Sequence, residues 1–263
     1  MRLPFAQIDA FARRPFEGNP AAVMPLDAWL DDATLQAIAS ENNLSETAFL
    51  VRDATGAADY ELRWFTPAAE VALCGHATLA SGHYLLSADA AKDRVTFRTR
   101  QAGLLEVTRV SDGYELALPA WKPDPRPLPA IVAALGVEVA HTLWHDKGYA
   151  LVVLHDEAAV RAAAPDGRAL AAEGQLVVIV TARGGETDII SRVFTHAFGI
   201  PEDPVTGSAH AVMVPYWAER LGRDRFTAYQ ASKRGGYLDC RLEGDRVVLG
   251  GHCVTVIEGV FRL

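Results

Sequence analysis

The sequence echoes itself. Displaced by 132 positions, Glu70 falls on Glu202, Gly75 on Gly207, Ala77 on Ala209 and Tyr84 on Tyr216, so both copies read Glu-x4-Gly-x-Ala-x6-Tyr. Each copy follows a strand-like segment ending in Phe-Thr (Phe65-Thr66 and Phe194-Thr195). Each leads into an apolar helical stretch (Ala77–Leu86 and Ala209–Leu221). Two copies are too few for a solenoid array. In a chain of 263 residues, half of them apolar, they predict duplication into two similar lobes, each large enough for its own core.

The helices after the paired glycines constrain the lobes further. Ala77–Leu86 is apolar nearly all round, broken only by Thr78, Ser81 and His83. A helix without a polar face is buried on every side, which a strand-rich lobe wrapped around it provides. The second copy contains Pro215, which removes a hydrogen bond and predicts a kink. Alternation predicts strands at Asp59–Phe65, Arg94–Arg100, Gly103–Val110, Tyr114–Leu118, Tyr149–Leu154, Asp188–Phe194, Tyr237–Leu242 and Arg246–Leu249. Asp31–Asn42 reads as a surface helix capped by Asp31 or Asp32, with Leu35, Ile38 and Ala39 on one face. Ala158–Ala164 is a weaker helix. Trp121–Pro129 holds four prolines and reads as an inter-lobe linker. The expected division is 1–119 and 120–250.

Composition excludes several functions. The net charge is −8 and no Lys/Arg run stands out, so no nucleic-acid footprint is expected. No apolar run approaches the ~20 residues of a membrane span, and the N-terminus does not read as a signal peptide. Cys74, Cys240 and Cys253 are too few and scattered for a disulfide framework. The expected location is the cytoplasm.

The chemistry-bearing residues lie near the repeated glycines. A helix N-terminus offers unpaired N–H groups and partial positive charge, a ready anion site. If a pseudo-twofold axis relates the lobes, Gly75-His76 and Gly207-Ser208 converge to hold a carboxylate and the charge that grows when an adjacent carbon loses a proton. Taken singly, each glycine reads equally as a packing residue. Glu46, bordered by Leu44, Ala48 and Phe49, is either an edge glutamate, a cap partner of Ser45, or an acid–base group raised by desolvation. His76 in the first helical turn is a core histidine or a donor facing substrate, with neutral imidazole favoured by the helix end. Asp203 complements a helix dipole or contacts substrate. Gly18-Asn19-Pro20 reads as a turn. Cys74 is a small buried residue or a thiol of lowered pKa at a helix start. Thr206, its counterpart in the repeat, is a poor base. Cys74, His76, His83 and His210 match no usual zinc spacing, so no metal and no cofactor is expected.

The chain resembles the PhzF-like (phenazine biosynthesis-like) family, a branch of the diaminopimelate epimerase fold. The matching stretches run nearly end to end: Asp9-Ala10-Phe11, Gly18–Val23, Asn43–Thr47, Phe65-Thr66-Pro67, Glu70, Cys74–Thr78, Glu202–Ala209 and Gln230–Gly236. The resemblance implies an α+β fold of two pseudo-symmetric lobes. Each is a barrel-like, mostly antiparallel sheet around a central buried helix, with the final strand (251–263) returning to the first lobe. It also implies a homodimer with the site in the cleft and a small carboxylic-acid substrate of dihydro-hydroxyanthranilate type. Glu46 then shuttles a proton, assisted by His76 and Asp203; Gly75, Gly207 and Ser208 cradle the carboxylate; Asn19 packs against the site. The rivals are an amino-acid racemase using Cys74 and a non-catalytic small-acid binding protein.

Overall fold

The computed structural model describes residues 1–263. The chain divides into two compact units, Met1–Leu118 with Gly250–Leu263, and Pro119–Leu249. No helix is long and apolar enough to cross a membrane.

The first unit contains β1 (Arg2–Ala10), β2 (Asn19–Leu26), α1 (Asp32–Asn42), β3 (Glu46–Arg52), β4 (Tyr60–Phe65), β5 (Glu70–Val71), α2 (Gly75–Ser87), β6 (Arg94–Thr99), β7 (Leu104–Val110) and β8 (Gly113–Pro119), with the final strand β18 (Cys253–Arg262). The sheet runs β18-β1-β2-β3-β4-β6-β7-β8. It is antiparallel except where β3 follows β2 and β6 follows β4. Those two parallel steps need crossovers, supplied by α1 and α2. The sheet curls round α2, which touches β1, β2, β3, β6, β7 and β18. The sequence of α2 explains the close fit. Gly75 through Gly82 are all buried, and a Cβ on Gly82 would stand 2.3 Å from Val107 Cγ1. The buried Ser81 hydroxyl is satisfied within the helix, donating to Ala77 O at 2.7 Å. Helix α1 covers the outer face. Asp31 caps it by accepting from Thr34 N at 2.9 Å, and Leu35, Ile38 and Ala39 pack with Met24, Leu26, Phe49 and Phe65. Burying Leu35 or Ile38 stabilises by about 1.5–3 kcal/mol each.

The second unit contains β9 (Asp124–Pro125), α3 (Pro129–Leu135), β10 (His141–His145), β11 (Tyr149–Val153), α4 (Glu157–Ala162), α5 (Gly167–Ala172), β12 (Val177–Arg183), β13 (Ile189–Thr195), β14 (Ile200–Glu202), α6 (Gly207–Leu221), β15 (Arg225–Gln230), β16 (Gly236–Glu243) and β17 (Arg246–Gly251). Its ladder repeats that of the first. β10 is antiparallel to β11, β11 parallel to β12, β12 antiparallel to β13, β13 parallel to β15, and β15 antiparallel to β16. The crossovers are α4 with α5, and α6.

The repeated glutamates have a structural partner. Glu70 pairs through both oxygens with Arg63, Nε–Oε1 and Nη2–Oε2 each at 2.8 Å. Glu202 pairs in the same way with Arg192, at 2.7 and 3.0 Å. Each arginine also lies over the phenylalanine two residues on, 5.0 Å from the ring centroids of Phe65 and Phe194. Bidentate pairing fixes the turn that delivers the chain to its central helix.

One sequence expectation is corrected, and one gains a partner. The proline-rich stretch is no free connector: Asp124 and Pro125 pair with Trp144 and Leu143, and Pro129 opens α3, where a missing N–H costs nothing. Pro215 does sit inside α6, but the carbonyl it leaves without a helical donor, Ala211 O, accepts Trp121 N–H at 2.9 Å. The stretch read as a linker thus supplies the hydrogen bond that the proline removes.

Candidate functional site

Three segment starts of the first unit converge on one imidazole. Gly18 bends the chain into β2 with φ of +64°, and a Cβ there would lie 2.1 Å from Ala10 O, so only glycine serves. The turn sets Asn19 at the head of β2, with Nδ2 3.2 Å from His76 Nδ1. Glu46 opens β3, in register with Ala21 of β2, and its Oε2 lies 3.0 Å from His76 Nε2. Cys74 is the N-cap residue of α2, its Sγ 3.5 Å from His76 Nδ1. Asn19 is fully buried, and His76 and Cys74 are 4% and 5% exposed, so these contacts are made out of bulk water. The Cys74 side chain makes no cap bond to the start of α2.

The electrostatics differ from the expectation drawn from the helix end. Burial alone pushes the His76 imidazole down, but the Cys74 sulfur and the Glu46 carboxylate at its two nitrogens hold it well above the ordinary histidine value. Burial pushes the Cys74 thiol up to about 11, reinforced by the negative charge of Glu46. The lowered thiol and neutral imidazole expected at a helix start are therefore both overturned, because burial and a neighbouring carboxylate outweigh the helix end. With Cys74 a neutral thiol near pH 7, Glu46 is the group that keeps the proton on His76. Nε2 faces the Glu46 carboxylate as an ion pair at 3.0 Å. A second proton on Nδ1 is accommodated by Cys74 Sγ or by the Asn19 amide presenting its oxygen.

Glu46, Cys74 and His76 also form a possible metal-ligand group, with ligand atoms within 4.8 Å of one another. The imidazole stands between the other two, Glu46 on Nε2 and Cys74 on Nδ1, so one ion cannot use the ring nitrogen nearest to both. His83 is engaged elsewhere, with Tyr114 Oη at 3.1 Å and Thr255 Oγ1 at 2.9 Å.

The second unit builds its own polar group at the start of α6. Thr206 is the N-cap residue, followed by Gly207 and Ser208, and its hydroxyl donates to Asp203 Oδ2. Ser208 bonds the Tyr149 hydroxyl, whose pKa burial nevertheless raises. His210 is fully buried. Its Nδ1–H donates to Thr206 O at 2.9 Å, leaving Nε2 without a hydrogen-bond partner, and burial pushes its pKa down to about 4. The first unit thus gathers Asn19, Glu46, Cys74, Gly75 and His76, and the second Asp203, Gly207 and Ser208. Sequence reasoning missed Tyr149 and Gln230, and weighed His210 only among metal ligands. Of the two missed, Gln230 carried a signal, as the first residue of a stretch already matched to the family.

Two wrapped central helices, built from one repeated ladder, define the α+β class shared with the epimerases. A hydroxyproline epimerase from Agrobacterium vitis superposes with a TM-score of 0.66 over 98% of this chain and 92% of that one, at 10% identity. Within that class, the family model described as phenazine biosynthesis-like protein matches residues 8–259, and the chain belongs to this PhzF family. A PhzF-family crystal structure from Enterococcus faecalis is 43% identical with a TM-score of 0.92, covering both chains completely. An uncharacterized isomerase of Pseudomonas aeruginosa is 50% identical over the whole of both chains.

Proposed function

We propose that the protein is a cofactor-independent isomerase that moves a proton between two carbons of a small unsaturated carboxylic acid, with Glu46 as the acid–base group. The observation that carries this reading is the Glu46 carboxylate 3.0 Å from the buried His76 imidazole. Glu46 takes the proton from one carbon, the electron pair delocalises along the conjugated acid, and the new carboxylic acid returns the proton to a second carbon. The double bonds shift with the electron pair, one C–H bond breaks and another forms, and no electron leaves. His76 fixes Glu46 through Nε2, and Asn19 and Cys74 fix His76. Gly75, Gly207 and Ser208 are assigned to the substrate carboxylate, whose growing charge helix-start N–H groups stabilise. Asp203 is assigned to the substrate's amino or hydroxyl group. A thiol held near 11 is a poor base at neutral pH, which disfavours the racemase reading that uses Cys74.

Turnover of dihydro-hydroxyanthranilate analogues, amino acids and unsaturated acids tests the proposal. Glu46→Gln is expected to retain ligand binding and lose turnover by at least ~100-fold, while Cys74→Ala stays within a few-fold of wild type. An active Glu46→Gln, or a dead but folded Cys74→Ala, contradicts it. Binding without turnover of any compound supports the binding-protein alternative. A homodimer is proposed as well, supported by exposed Ile257 and Val260 on β18 and Leu263 just beyond it; a monomer mass by light scattering refutes it.

A further inference from the structure

Gln230 ends β15 and opens the Gln230–Gly236 stretch, which the proposed reaction leaves unused. It is fully buried, and its amide is spent on one short segment ahead of α6. Oε1 accepts Thr206 N–H at 2.9 Å. Nε2 donates to the Asp203 carbonyl at 2.7 Å and to Thr206 Oγ1 at 3.2 Å. The amide has one possible orientation, because a backbone N–H requires its oxygen and a backbone carbonyl requires its NH2. That orientation decides the next bond. A threonine hydroxyl has a single proton; with Oγ1 receiving from Gln230, the proton is delivered to Asp203 Oδ2. Asp203 N–H donates to Val193 O at 3.0 Å, and Ser232 Oγ, from the same stretch as Gln230, donates to Pro204 O at 2.8 Å. The segment carrying Asp203 is held on its backbone from both sides and on its side chain through a two-step relay.

We propose that Gln230 is a positioning residue of the reaction: acting through the Thr206 hydroxyl, it aims the Asp203 carboxylate at the substrate's amino or hydroxyl group. This rests on the assignment of Asp203 made above. It also gives Thr206 a task different from that of Cys74, its counterpart in the repeat. The hydroxyl is a relay and not a second base. Glutamate at position 230 would lose both donated bonds, and methionine would keep the shape while losing all three, so only the amide satisfies the whole segment.

The test reads Asp203 directly and uses no substrate. In protein labelled with carboxyl-13C aspartate, the Asp203 resonance is assigned by its loss in Asp203→Asn and followed from acid to neutral pH. A hydrogen bond from a hydroxyl to an ionised carboxylate lowers its titration midpoint, so Thr206→Val and Gln230→Met are each expected to raise that midpoint by about one pH unit. Thr206→Ser restores the wild-type value. The Gln230→Met/Thr206→Val double variant matches Thr206→Val alone, because Gln230 reaches the Asp203 carboxylate only through the hydroxyl. Should Gln230→Met fail to fold, Gln230→Glu replaces it, compared in the Thr206 and Thr206→Val backgrounds so that the added charge cancels. The proposal is overturned by an unmoved Asp203 midpoint in Thr206→Val, or by a Gln230 substitution that acts equally in both backgrounds. Wild-type turnover in Asp203→Asn overturns it by a separate route, with the relay intact. Failure of the relay with Glu46-dependent proton transfer preserved leaves the proposed function standing and removes Gln230 from it.

Discussion

At the scale of the residue, the site is governed by which group holds charge out of water. His76 keeps its proton because Glu46 faces one nitrogen, and Cys74 keeps its proton because it is buried beside the same carboxylate. Iodoacetamide is therefore expected to label Cys74 slowly at neutral pH, with the rate rising only as pH approaches 11, because the thiolate is the nucleophile. Fast labelling near pH 7, located by peptide mass spectrometry, contradicts the assignment. The two buried histidines have opposite signs in linkage. His210 is depressed to about 4, so its stabilisation is present above an unfolded value near 6.5 and is lost as pH falls from there through 4. That shift corresponds to about 3 kcal/mol. His76 is raised, so its contribution is present below about 6.5 and is lost as pH rises through its folded value. His210→Thr, the residue type carried by the first repeat at Thr78, should flatten the fall of the urea midpoint between pH 6.5 and 4; an unchanged slope refutes the assignment. The sequence marked Glu46, His76 and Cys74 as candidates but misjudged two protonation states. A helix start is visible in sequence, whereas a carboxylate brought in from another strand is not.

At the scale of the element, the Arg–Glu pairs hold the turns before α2 and α6. Arg63 is 3% exposed, so Glu70→Ala strands most of a guanidinium charge with only Asp32 to share it. The expected cost is about 3–4 kcal/mol in urea unfolding, against less than about 1 kcal/mol for an exposed pair such as Lys122–Glu219 removed by Glu219→Ala. Equal losses from the two would contradict the structural reading of the repeat. The repeat itself was legible because its residues are few and ordered: a glutamate, a glycine, an alanine and a tyrosine ahead of an apolar helix. The arginines were not, because Arg192 stands three residues further from its glutamate than Arg63 does, with the short helical turn His196–Phe198 inserted between. The proline-rich segment was misread for a related reason. Its pairing with β10 and its bond to Ala211 O join residues far apart in sequence, and local composition records neither.

At the scale of the whole molecule, one ladder of strands and crossovers has been built twice and then loaded differently. The first copy carries a carboxylate and an imidazole at its helix start. The second carries Asp203, a hydroxyl relay and an amide that holds it. Under the proposed function, such divergence separates the chemistry of proton movement from the binding of the acid that undergoes it. The α+β class and the wrapped helices follow from the apolar helices and alternating strands. The loading follows from burial, which only the folded chain reveals. The central claim is that Glu46 carries the proton, and proton NMR in heavy water tests it most directly. With a turned-over unsaturated acid and wild-type protein, deuterium should enter a single carbon of the product, and the signal should vanish with Glu46→Gln while persisting with Cys74→Ala. Deuterium incorporation that survives in Glu46→Gln and disappears in Cys74→Ala would contradict the account.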